Sequence, residues 1–113
     1  MASIQLKKLR NIWTHKEFLL EFKMLNTLEN LFNLARERKK FPVDGSYTNK
    51  LLSDKSLSKE KVLEEINELI EAVENDSNKI HEAADVFYHL IMYLESNDVK
   101  IEDVMEELNK RKK

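Results

Sequence analysis

A single glycine, Gly45, and a single proline, Pro42, serve a chain of 113 residues. Turn-formers that scarce leave few places to reverse direction, so a few long helices suit this sequence better than many short strands. The length fits one domain. A core that small is only marginally stabilising, which favours self-association. Net charge is −2, from 19 basic and 21 acidic residues, so no global field exists to attract nucleic acid. Cysteine is absent, which excludes disulfides and thiolate metal sites. No apolar run approaches the roughly 20 residues that span a bilayer. The basic start lacks the apolar stretch of a secretory signal, so the expected location is the cytoplasm, with no membrane partner.

Residues 1–25 carry Ile4, Leu6, Leu9, Ile12 and Trp13, then Phe18, Leu19, Leu20, Phe22 and Leu25, a blurred helical spacing that marks an extension of unassigned role. The domain proper is expected over 26–113. Asn26 or Thr27 can cap a helix whose apolar face is Leu28, Leu31, Phe32 and Ala35 and whose end is the basic run Arg36 to Lys40. Phe41-Pro42-Val43-Asp44-Gly45 is the clear break, after which Ser46 can cap a short helix containing Leu51 and Leu52. Ser53 to Ser58 reads as a polar connection. The next helix places Val62, Ile66, Leu69, Ile70 and Val73 on one side at a 3.6-residue period. Asn75 to Asn78 reads as a turn with Ser77 as the cap. A helix from Lys79 to Ser96 follows, then a break at Asn97-Asp98 and a last helix carrying Ile101, Val104 and Leu108. The pattern predicts an all-α antiparallel bundle of four to five helices, completed by dimerisation.

The chemistry sits in carboxylates. Ile80, Ala83, Ala84, Val86, Phe87, Leu90, Ile91, Met92 and Leu94 cover most of the circumference of the Lys79–Ser96 helix, which predicts a buried helix. Glu82 and Asp85 nevertheless lie within it, three apart on one face, with His89 one turn further on. A buried carboxylate must be paired, protonated or bound to metal. The preceding helix reads E-E-x-x-E, Glu64-Glu65-Ile66-Asn67-Glu68, and the turn at 75–78 folds the two helices antiparallel. Two carboxylate pairs on facing helices can then converge on one point. Oxygens so placed suit a hard cation such as Mg²⁺ or Mn²⁺, and without one the like charges repel. Taken alone, E-E-x-x-E is commonly a solvated face. The E-x-x-D inside an apolar helix is harder to explain that way.

These residues resemble a known family. The paired acidic helices look like the MazG-like all-α NTP pyrophosphohydrolases, and within that superfamily the match is closer to the phosphoribosyl-ATP diphosphatases. Gly45-Ser46-Tyr47-Thr48-Asn49-Lys50-Leu51-Leu52 resembles their loop and short-helix motif. Lys61-Val62-Leu63-Glu64-Glu65 resembles the first acidic motif, and Glu82-Ala83-Ala84-Asp85-Val86-Phe87-Tyr88-His89-Leu90 is similar to the second almost letter for letter. All three occur in register over about residues 26–111. Leu63 departs from a frequent glycine, and Ile66-Asn67 from a small or apolar pair, but neither change removes a carboxylate.

The resemblance implies Mg²⁺-dependent cleavage of 1-(5-phosphoribosyl)-ATP between the α and β phosphates, the second step of histidine biosynthesis, by a homodimer. It implies Glu65, Glu68, Glu82 and Asp85 as metal ligands, Glu64 or Glu68 as proton acceptor, and His89 as support for the Asp85 carboxylate. Lys61 is expected to stabilise phosphate charge, or else to form a plain surface ion pair with Glu65. Arg38, Ser46, Tyr47, Thr48 and Lys50 are the candidate substrate contacts, with Arg36 and Lys39 read as solvent-facing cations. Two other readings keep parts of this pattern: a house-cleaning nucleoside triphosphate hydrolase with the same metal site, and a non-enzymatic helical module with exposed acids.

Overall fold

The computed structural model describes residues 15–112, with side chains from Asn26 onward. Every regular element among the described residues is a helix: α1 (His15–Lys40), α2 (Tyr47–Ser53), α3 (Lys55–Glu74), α4 (Lys79–Ser96) and α5 (Ile101–Lys110). The expected all-α class is met. Internal contacts divide the chain into two units, residues 1–31 and 32–113. In the first unit, α1 begins at His15 rather than at the Asn26–Thr27 cap. With no glycine or proline to interrupt residues 15–26, nothing in the chain stops the helix there. Ile4 to Trp13 lie outside the described residues.

In the second unit α3 and α4 form an antiparallel hairpin. Asp76 and Asn78 take left-handed backbone (φ 51° and 49°), a conformation that Asn and Asp accept more readily than other side chains, and so close the turn in four residues. The N-cap position falls on Asn78 rather than Ser77, and its side chain makes no capping bond. Stripes that repeat every three and four residues pack inward: Ser58, Val62, Glu65, Leu69 and Ala72 on α3, and Glu82, Asp85, His89, Met92 and Ser96 on α4, all buried or half-buried.

Two expectations fail here. Of the apolar side predicted for α3, only Val62 is buried. Leu69 is half-buried, while Ile66, Ile70 and Val73 are exposed alongside Leu63. Nor is α4 buried all round: Ile80 is 88% exposed and Phe87 60%. The inward stripe is the one that carries the carboxylates, so the exposed apolar positions lie further round, about 100° from it on α3 and roughly 160° on α4.

α2 closes over the hairpin with Leu51 and Leu52 buried. Its start follows the sequence reading. Gly45 turns the chain at φ +77°, where an L side chain is strained, and Ser46 Oγ accepts the Asn49 N–H at 3.2 Å to cap the helix. The expected Ser53–Ser58 connection is shorter than supposed. Asp54 alone separates α2 from α3 and caps α3 by accepting Leu57 N–H at 3.0 Å, so Ser58 lies inside the helix and is buried.

The basic end of α1 is not solvent-facing decoration. Arg36 Nε donates to buried Glu95 at 2.9 Å, and its two Nη groups grip Glu102 at 2.7 and 2.5 Å. Lys39 donates to the Glu95 carbonyl at 2.6 Å and to Asp98 at 3.0 Å. The end of α1 is thereby tied to the α4–α5 junction, where Asp98 takes left-handed backbone (φ 57°). The Arg36 fork holds the Glu102 carboxyl down at about 2. A depressed folded value stabilises above the ordinary 4.5 and is lost as pH falls toward 2.

Arg36→Ala leaves Glu95 buried with only Lys39 for company, so a loss of about 2 kcal/mol is expected in urea unfolding at neutral pH. The acid limb between pH 4.5 and 2 should flatten in the same variant. An unchanged midpoint at pH 7 would show that this junction carries no stability.

Candidate active site

The hairpin brings glutamates from both helices to one place. Carboxylate oxygens of Glu65, Glu68 and Glu82 all lie within 4.8 Å of one another. Glu82 also belongs to a second group with Asp85 and His81, whose donor atoms lie equally close. Asp85 thus joins the cluster through Glu82, and no single group contains all four predicted carboxylates. His81 was not foreseen. Its Nε2 lies 3.3 Å from Asp85 Oδ2, an i, i+4 pairing that was visible in the sequence as His-x-x-x-Asp.

The cluster is poorly satisfied by protein alone. Among the described residues, one buried oxygen each of Glu65 and Glu82 lacks a hydrogen-bond partner. Burial raises the carboxyls of Glu65 and Glu82 above their ordinary 4.5, and the neighbouring Glu68 raises both further. Three converging carboxylates, two of which carry an orphaned oxygen, fit a hard divalent cation, and nothing in the donor set opposes one. Glu64 stands apart. It is exposed and pairs with Lys61 at 3.3 Å, so Lys61 takes Glu64 rather than Glu65 as its partner.

His89 is buried on the same stripe, but it does not touch the Asp85 carboxylate. Its Nδ1 lies 2.8 Å from the Asp85 carbonyl, which can only accept, so Nδ1 carries the proton. In the neutral ring Nε2 is then the acceptor, and the Tyr47 hydroxyl donates to it at 2.9 Å. Burial holds the Tyr47 phenol above its ordinary value, which keeps that proton in place. Thr48 Oγ1 and the Tyr88 hydroxyl share a 2.5 Å bond, and the Tyr47 and Tyr88 rings stack at 6.5 Å between centroids. Tyr47 and Thr48 open α2, so the Gly45–Ser46 turn is fixed to α4 one turn beyond Asp85.

Beside this contact lies an open cleft of about 410 Å³ running from Pro42 through Ser46 to Lys50 and Ser53. Arg38, at the end of α1, is not one of its lining residues; it lines a second pocket that shares Pro42, Asn49 and Ser53 with the cleft, and it donates from Nη1 to Ser46 Oγ at 2.9 Å. The structure therefore places Ser46, Tyr47 and Lys50 on the cleft, Arg38 beside it through its bond to Ser46, and Tyr47 and Thr48 against α4. Asn49, which the sequence reading passed over, bonds both Arg38 and Val43 here.

A family profile described as Phosphoribosyl-ATP pyrophosphohydrolase matches residues 25–112. The chain belongs to this family. A phosphoribosyl-ATP pyrophosphatase of Clostridium acetobutylicum is 41% identical over 88 residues, covering 74% of this chain and 79% of that protein. One from Bacillus cereus is 40% identical over 93 residues, covering 78% and 85%. A Pyrococcus furiosus protein named as a histidine biosynthesis bifunctional protein is 38% identical over 92 residues, which make up 43% of its length. No solved structure gives a significant match. A pyrophosphohydrolase family agrees with the divalent-cation fit of the acidic cluster.

A raised folded pKa stabilises below the ordinary value and is lost as pH climbs through the raised one. In the presence of chelator, the Glu65 and Glu82 shifts therefore predict that stability declines as pH rises from about 4.5 to neutrality. Glu68→Gln removes the shared neighbour and should lessen that decline. Urea titrations across this range decide it, and equal slopes in the two proteins would refute the assignment.

Proposed function

We propose that this chain hydrolyses 1-(5-phosphoribosyl)-ATP to 1-(5-phosphoribosyl)-AMP and pyrophosphate, the second step of histidine biosynthesis, with Mg²⁺ (or Mn²⁺) at the acidic cluster. The single observation that carries the chemistry is the meeting of Glu65, Glu68 and Glu82 across the hairpin, with orphaned oxygens on two of them. What carries the substrate is the family match over residues 25–112. We take 26–113 as the catalytic domain and 1–25 as an extension, in a cytoplasmic protein.

Glu65, Glu68 and Glu82 would hold the cation, with Asp85 completing the set from the Glu82 side. When bound, it neutralises triphosphate charge and activates water for attack on phosphorus. Glu68 accepts a proton from the attacking water, because the other candidate, Glu64, has an oxygen engaged by Lys61. Burial and hydrogen bonds around His89 hold the Asp85 turn of α4 in place, while Tyr47 and Thr48 fix the substrate loop to it. Lys61 keeps its proton because bonding to Glu64 raises it further, which leaves an ammonium beside the departing phosphates. Lys50 on the cleft and Arg38 beside it, bonded to Ser46, are the partners for the 5′-phosphate that distinguishes this substrate from ATP.

The exposed apolar stripes support a homodimer. Leu63, Ile66, Ile70 and Val73 line one side of α3, and Ile80, Phe87 and Leu90 one side of α4. Such a surface on so small a protein calls for a partner, and a second copy is the simplest one.

Purified protein with Mg²⁺ should release pyrophosphate from phosphoribosyl-ATP in preference to ATP and dUTP. Glu65→Ala/Glu82→Ala should lose at least about a thousandfold in kcat, on the scale of removing a principal electrostatic stabiliser. Turnover of ordinary nucleotides instead would retain the site and move the protein to the house-cleaning branch.

Phe87→Asp/Ile70→Asp places charges on the apolar stripes without touching a carboxylate of the site. Sedimentation equilibrium should then report half the mass found for the unaltered protein. Equal masses would remove the dimer from this account.

A further inference from the structure

Asn49 forms three bonds that no other residue of the cleft combines. Its Nδ2 donates to the Arg38 carbonyl at 2.8 Å, its Oδ1 accepts the Val43 N–H at 2.8 Å, and its own N–H caps onto Ser46 Oγ at 3.2 Å. Ser46 Oγ in turn accepts Arg38 Nη1 at 2.9 Å. A carbonyl only accepts and a backbone N–H only donates, so the two side-chain bonds need one donor and one acceptor on the same short group. The amide of asparagine supplies both. Aspartate lacks the donor.

The consequence lies in what is joined. One half-buried side chain ties the last turn of α1, the 41–46 segment and the first turn of α2 around the open cleft. The Arg38 guanidinium extends from the first of these segments to Ser46 Oγ, a hydroxyl on the cleft whose position the third one fixes. Among the described residues Arg38 commits one Nη to Ser46, which leaves the rest of its planar fork for an anion.

We propose that Asn49 is a positioning residue for substrate binding: it sets the Arg38 guanidinium and the Gly45–Ser46 turn in the geometry that receives a phosphate group, acting through Arg38 rather than on the reacting atoms. This rests on the reading of the cleft as the 5′-phosphate contact given above. A group that pre-forms a remote binding contact changes KM, while the phosphorus under attack, held at the acidic cluster, is reached at an unchanged kcat.

The test is a double-mutant cycle in pyrophosphate release from phosphoribosyl-ATP, with unaltered protein, Asn49→Ala, Arg38→Ala and the double variant. Asn49→Ala is expected to raise KM about tenfold, the scale of a lost hydrogen bond to a charged partner's support, with kcat within about twofold. In the Arg38→Ala background the same change should raise KM by less than about twofold. An equal rise with and without Arg38, a fall in kcat at constant KM, or no change at all overturns the proposal. If Arg38→Ala leaves KM unaltered while Asn49→Ala raises it, the reading of the cleft fails instead, and the proposal falls with it. Should thermal melts show Asn49→Ala unfolded, Asn49→Asp takes its place, since it keeps the Val43 bond and loses the one to Arg38. Any effect of its added charge persists without Arg38, whereas the positioning effect disappears.

Discussion

Like charge packed into a helix seam is the constraint on which the rest depends. Along α3 the inward stripe runs Ser58, Val62, Glu65, Leu69, Ala72, and along α4 Glu82, Asp85, His89, Met92, Ser96. In an ordinary antiparallel pair such positions are apolar and their burial holds the helices together. Here acids stand at the middle of the α3 stripe and at the start of the α4 stripe, and burial raises the carboxyls of Glu65 and Glu82 above their ordinary value. The hairpin therefore contributes little cohesion at those positions. Its cohesion comes from Val62, Leu69, Ala72 and Met92, from the four-residue turn and from elements outside the pair.

Those outside elements are arranged accordingly. α2 brings Leu51, fully buried, to the hairpin, and its first turn bonds His89 and Tyr88 through Tyr47 and Thr48. The end of α1 anchors at the opposite end of α4 through Glu95 and, across the break, at Glu102 of α5. α4 is thus gripped at its middle, by Tyr88 and His89, and at its C-terminal end, by Glu95, with the acidic stretch lying toward its start. The contacts of α2 do double duty. The loop proposed to meet a phosphate is registered by the same hydrogen bonds to the helix that carries Glu82 and Asp85, so its distance from the acidic cluster is set by rigid elements.

Much of this was legible in the sequence, and the failures have more than one source. Helix spacing located the breaks at Pro42–Gly45, Asn75–Asn78 and Asn97-Asp98, and Ser46 was readable as a cap because the chemistry of a cap is local. The acidic pairs were readable because spacings of three and four residues translate directly into a shared face. Direction was not. Periodicity puts Val62, Ile66, Leu69, Ile70 and Val73 on one side of α3 without showing where the inward stripe is centred, and the assumption that apolar means inward wrongly buried Ile66, Ile70 and Val73. The same assumption turned α4 into a buried helix. Arg36 and Lys39 were misread because their partners, Glu95, Asp98 and Glu102, lie about sixty residues away, beyond any local pattern. Asn49 was passed over for a similar reason: two of its three bonds reach segments that only the turn at Gly45 brings near. His81 was within reach of the i, i+4 rule and was simply not counted.

The reversal of the apolar stripes also explains how so small a chain can keep acids in its seam. At 100° per residue, Ile70 and Val73 lie on the side of α3 away from Glu68, and Ile80 and Phe87 on the side of α4 away from Asp85. Each helix therefore separates two tasks by face: carboxylates on one, apolar surface on the other. Stability that the seam gives up by housing charge is recoverable on the outer face, where burial against a second copy follows the ordinary hydrophobic scale of about 25 cal/mol per Å². A monomer built this way would be left with a seam under repulsion and a bare apolar surface. The proposed association and cation would address the two problems separately, and because both would act on the same pair of helices, either one would stiffen the frame in which the other is bound.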